Sequence, residues 1–150
     1  MKLATALSQR ADLQKRLSEL TTRLKNNSKV QEGEAPAEKP ADLLKELDAV
    51  LLSLEELVAR INLTNSAVLA DGKSITELIA HRDMLSKKLQ IMRAFLDEAS
   101  SKVDRYSRAE IKIESTVDVA RLQKQLDAVS KELRQTDERL QELNWTTELR

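Results

Sequence analysis

The chain has 150 residues, a length that suits one ordinary domain, and its 25 basic residues balance 25 acidic ones, so nothing in the total charge draws it to nucleic acid or an anionic membrane. The absence of cysteine excludes disulfides, thiol catalysis and thiolate metal sites, and it fits a reducing cytoplasm. Phe95, Tyr106 and Trp145 are the only aromatics, so the core must come from Leu, Ile, Val and Ala, and the stacking platform of single-strand nucleic-acid binders is missing.

In chain order, Leu3, Ala6, Arg10, Leu13, Leu17, Leu20 and Leu24 follow alternating three- and four-residue steps, predicting a first helix over about 2–27. Asn26, Asn27 and Ser28 are natural stops, and the Glu-, Ala- and Pro-rich stretch at about 28–40 reads as an exposed, mobile loop. Pro40 suits the first turn of a second helix over about 41–62, with Leu44, Leu47, Leu51, Leu54, Val58 and Ile61 as its seam. Residues 62–66 are poor in helix formers. The Asp71-Gly72 pair signals a turn that could close a short hairpin.

Ser74 and Glu77 have capping-box spacing ahead of a third helix over about 75–103, whose seam is Leu78, Arg82, Leu85, Leu89, Met92, Leu96, Ala99 and Val103. Around 108–115 the period changes to two, with Ile111 and Ile113 on one side and Glu110, Lys112 and Glu114 on the other, predicting one short strand. Such a strand needs an edge to pair with, either residues 66–70 or its own copy in a second subunit. Thr116 or Asp118 caps a fourth helix with the seam Val119, Leu122, Leu126, Val129, Leu133, Thr136, Leu140 and Leu143. That helix ends near Asn144 and leaves 145–150 as a tail. The reading is an all-α single domain over 1–150, four long helices in antiparallel hairpins or a bundle.

Charge sorts the pairing. Residues 1–30 carry seven basic and two acidic side chains, and residues 31–72 carry three basic and nine acidic. The first two helices are therefore expected to pair as a hairpin.

Chemistry is harder to find. His81 is the single histidine and Leu78 stands three residues before it, so the Glu-x-x-His pairs of a carboxylate-bridged metal site are missing. No Gly-rich phosphate loop or nucleophile elbow is present, and no enzyme, cofactor or metal is expected. Two polar constellations stand out. Arg60, Asn62, Thr64 and Asn65 end the second helix and Arg82 and Asp83 start the third; together they form either an anion site or a network that fixes hairpin register. Arg105, Tyr106, Ser107 and Arg108, with Ile111 and Ile113, form either a phosphate-holding junction or an interface. Trp145 is expected to anchor the tail to a groove or a second subunit.

Six segments carry a resemblance. They are Arg-Ala-Asp-Leu-Gln at 10–14, Val-Gln-Glu-Gly-Glu at 30–34, Ala-Arg-Ile-Asn-Leu-Thr-Asn at 59–65, Arg-Tyr-Ser-Arg-Ala-Glu-Ile-Lys at 105–112, Ser-Thr-Val-Asp-Val at 115–119 and Asn-Trp-Thr-Thr-Glu-Leu at 144–149. Over essentially the full chain they resemble a bacterial family of small helical proteins labelled septicolysin-like. That resemblance implies a cytolytic toxin but brings no mechanism and no functional residues. A pore-former would need an export signal and a long apolar helix or alternating hairpin, and neither is evident.

The function expected is that of a non-enzymatic, self-associating cytoplasmic scaffold or interaction protein, a homo-oligomer that can also bind a protein partner. The alternatives are an RNA-associated module using Arg10, Lys15, Arg16, Arg23, Lys25 and Lys29 of the first helix, and the toxin that the resemblance implies.

Overall fold

The computed structural model describes residues 1–101 and 111–150. It is all-α: α1 (Leu3–Asn26), α2 (Pro40–Ala67), α3 (Ile75–Ser100) and α4 (Val119–Thr146), with a two-stranded antiparallel ribbon, β1 (Leu69–Ala70) and β2 (Lys73–Ser74), between α2 and α3. Contacts group the chain into two compact units, Met1–Ser74 with Gln141–Arg150, and Ile75–Leu140. No helix among the described residues is long and apolar enough to cross a membrane.

In the first unit α1 and α2 form an antiparallel hairpin around Leu20, Leu43 and Val50, with Leu13, Leu17, Leu24 and Leu47 packed against them. Asn27 ends α1 as expected of a side chain that competes for backbone bonds. Its Nδ2 donates to the Arg23 carbonyl at 2.8 Å, and its Oδ1 accepts from the Glu38 amide at 2.9 Å, which ties the connecting loop to the helix end.

The second helix differs from expectation in two ways. It runs five residues past 62, because Thr64 and Ser66 return their hydroxyls to the carbonyls four residues back and Ile61 and Thr64 are buried; tertiary burial outweighs weak intrinsic propensity. Its core face also keeps Leu47 and Ile61 of the expected seam but replaces the row of Leu44, Leu51 and Val58 with the one a residue earlier. Leu43, Val50 and Leu57 are buried whereas Leu44 and Leu51 are exposed. Both rows repeat every seven residues, and packing on α1 selected the first.

The Asp71-Gly72 hairpin does form. Asp71 (φ 53°) and Gly72 (φ 80°) both take the left-handed region, as a two-residue turn with the twist of its flanking strands requires. Leu69 pairs with Ser74 and Ala70 with Lys73.

In the second unit α3 and α4 pack antiparallel through Leu85, Leu89, Leu96, Leu122, Leu126 and Val129, flanked by Met92, Val117, Val119 and Leu133. This matches the expected seams; Val103 lies outside the described residues. Asp118 rather than Thr116 caps α4, its Oδ1 accepting the Arg121 amide at 3.1 Å.

The strand expected at 108–115 is corrected over its described part. Residues 111–115 join no ladder, and Ile111 and Ile113 are largely exposed. Their expected intrachain partner is unavailable, since Ser66 and Ala67 belong to α2 and Leu69–Ala70 pair with Lys73–Ser74. The tail also starts later than 145, because α4 continues through Thr146.

Candidate functional site

Four places gather polar or exposed apolar side chains, three of them each within one unit and the fourth a stripe in each unit. The first is a clamp that holds residues 147–150 against the start of α1 and the end of α2. The Leu3 amide donates to the Thr147 carbonyl at 2.9 Å and the Leu149 amide to the Met1 carbonyl at 2.8 Å. The Arg150 amide donates to the Thr64 hydroxyl at 3.0 Å, and Arg60 Nε donates to the Arg150 carbonyl at 2.7 Å. Glu148 receives Lys2 Nζ at 2.6 Å and the terminal ammonium of Met1 at 3.0 Å, and these donors, Lys2 first, hold its carboxyl below the usual range. Leu149 is buried at the centre of this arrangement.

That geometry reassigns half of the expected anion site. Arg60 serves the tail carbonyl, Asn62 is exposed, and Asn65 is partly buried with an Oδ1 that has no hydrogen-bond partner. Arg82 and Asp83 belong to the other unit and bond each other at 3.0 Å, with Asp137 3.8 Å from Arg82. Arg60, Thr64, Arg82 and Asp83 thus each have a partner within their own unit, whereas Asn65 Oδ1 has none among the described residues. Trp145 does not anchor the tail to a groove of its own chain: it stays 64% exposed in the last turn of α4, and Leu149 takes the buried position.

The second place is an ion-pair network on the α1–α2 hairpin. Arg16 donates to Glu46 at 2.8 Å, and Arg23 bridges Glu38 at 2.6 Å and Glu46 at 3.4 Å. This is the charge complementarity expected of the first two segments, and it occupies two of the six cations of the RNA alternative. The hydrogen bond from Arg23 lowers the Glu38 pKa, and that from Arg16 leads the lowering at Glu46. Arg23 is in turn held more firmly protonated by Glu38.

A carboxyl whose folded pKa lies below its unfolded one adds stability above the unfolded pKa and loses it as pH falls through the folded value. Thermal melts of the intact chain and Glu46→Gln should therefore differ near neutral pH, and the gap should close as pH falls below the ordinary carboxylate range and the lowered Glu46 carboxyl takes up its proton. Both partners are solvated, so the difference is small.

The third place is on α3 and α4, where His81 Nε2 lies 3.0 Å from Glu132 Oε1, both partly exposed. No group of three or more metal-ligating side chains gathers among the described residues. The Arg105–Arg108 junction lies outside the described residues; of its neighbours, Ile113 lines an open cavity of about 430 Å³ with Phe95, Glu98 and Ala99.

The fourth place is a pair of apolar stripes outside the two cores. On α2, Leu44 and Leu51 are 50% and 45% exposed, in line with half-buried Val58. On α3, Met84, Ile91 and Phe95 are 56%, 70% and 47% exposed. Spacings of seven and four keep each set on one helix face. These are the residues that sequence reading either placed in the core or passed over, and the doubled apolar rows of α2 were their signal.

The model of a family of unknown function (DUF6847) matches residues 10–149. The chain belongs to that family. DUF6847 also has structural company: a crystal structure of a functionally unknown conserved protein from Corynebacterium diphtheriae is 43% identical, with a TM-score of 0.90 over 100% of this chain and 99% of that one. No curated protein matches the chain. Neither the family description nor that relative brings a reaction to this DUF6847 chain, so its function has to be argued from its surfaces.

Proposed function

We propose that this chain is a non-enzymatic interaction or scaffolding module that works by self-association through helix faces. The observation carrying this reading is the pair of exposed apolar stripes, Leu44–Leu51–Val58 on α2 and Met84–Ile91–Phe95 on α3. An isolated exposed leucine is ordinary. Apolar side chains repeated at helical spacing beside a completed core are what a helix offers to another helix.

The test is the solution mass of the intact chain by light scattering coupled to size exclusion, across a wide concentration range. The expected result is an oligomer whose mass holds on dilution, and a monomer at every concentration would sink the reading. Shortening the chain at Asn144 is unsuited to this purpose, since residues 147–150 are built into the first unit.

A further inference from the structure

We propose that the contact joins unlike stripes: the Leu44–Leu51–Val58 face of α2 in one copy seats on the Met84–Ile91–Phe95 face of α3 in a second copy. This rests on the self-association reading and specifies its surfaces. The occupant of each stripe is thus the other stripe of the same kind of chain.

The choice follows from the charges beside each apolar row. Asp48 and Glu55 stand along one flank of the α2 stripe, at the same seven-residue interval as Leu44 and Leu51. Lys87 and Lys88 bracket the line from Met84 to Ile91 on α3. None of these four side chains has an ion-pair partner among the described residues. By contrast, Arg16, Arg23, Glu38 and Glu46 on the core-side flank of the α1–α2 hairpin are already paired.

Two α2 stripes facing each other would bring Asp48 and Glu55 against their own kind, and two α3 stripes would do the same with Lys87 and Lys88. Flanking charges choose among apolar helix partners, because like charges at the margin of a seam are repelled while opposite ones are tolerated or favoured. Only the unlike pairing lets the carboxylates that flank the α2 stripe meet ammonium groups beside the α3 stripe. Each copy offers both stripes, so a closed assembly uses the contact more than once.

Charge reversal in pairs tests this. Asp48→Lys/Glu55→Lys and Lys87→Glu/Lys88→Glu alter solvated positions, and circular dichroism checks that both double variants keep the helical fold. Each alone is expected to weaken self-association by about tenfold or more, read as a fall in solution mass at matched concentration. An equal mixture of the two is expected to regain the mass of the unmodified assembly, because every contact in an alternating arrangement is again between opposite charges. Loss in both variants without recovery on mixing overturns the unlike pairing. An oligomer whose mass neither variant changes overturns this contact while the self-association reading stands. A monomeric unmodified chain overturns both.

Discussion

Deleting Thr147–Arg150 is expected to lower the stability of the chain by roughly 3–6 kcal/mol, more than any single surface change. The segment supplies a buried leucine, Leu149, whose removal from water is worth about 1.5–3 kcal/mol. It also supplies the Thr147 carbonyl to Leu3 and the Leu149 amide to Met1, each such bond contributing about 1 kcal/mol net. Thr64, fully buried, loses the Arg150 amide that its hydroxyl accepts. Chemical denaturation measures the loss, and hydrogen exchange should show it first in the Leu3–Ala6 turn, whose end the tail covers.

The accompanying substitutions separate anchor from ornament. Leu149→Ala should account for about 2–4 kcal/mol of the deletion's effect. Trp145→Ala, at a side chain mostly in solvent, should change monomer stability by less than about 0.5 kcal/mol. A large loss from Trp145→Ala with little from Leu149→Ala would overturn the placement of the tail.

The second large effect is a contrast between neighbours. Leu43→Ala is expected to cost about 2–5 kcal/mol, since its side chain is 2% exposed and packs with Leu20 and Val50, and the surrounding helices cannot close the cavity left behind. Leu44→Ala should cost the fold of the single chain less than about 1 kcal/mol, because half of that side chain is already in water there. Equal losses at the two positions would mean that α2 faces α1 with the other row. In the assembly the gap between the pair should narrow, since Leu44 belongs to the stripe proposed to meet a second copy.

Much of the fold was legible because it depends on local periodicity. The seams of α1 and α4 are single rows of apolar residues, and a helix with one such row has only one way to bury it. Turn chemistry was equally local: Asp71-Gly72 supplies two residues that tolerate positive φ, and Asn27 and Asp118 end and start helices through their own side chains. The charge contrast between residues 1–30 and 31–72 also pointed to the α1–α2 pairing that Arg16, Arg23, Glu38 and Glu46 now make.

The candidate sites were less legible, because they depend on which groups meet. Arg60 and Arg82, close to the same turn in sequence, were expected to form either an anion site or a register-fixing network, and the partner Arg60 has is the carbonyl of Arg150, ninety residues away. No local signal announces such a contact. The alternation at 111–115 forms no strand within the chain for a related reason: a period of two is a necessary condition for a strand, but a strand exists only where another edge accepts its hydrogen bonds.

Sequence by itself thus determined the four helices, the stop at Asn27, the start at Asp118 and the hairpin turn, since those follow from side-chain spacing, backbone freedom and capping within a few residues. Tertiary structure decided which row of α2 turned inward. Leu43–Val50–Leu57 and Leu44–Leu51–Val58 are both sound heptad rows, lying about 100° apart on one helix. An isolated helix has no reason to prefer either, and the choice was made by the shape and charge of α1, leaving the second row at the surface.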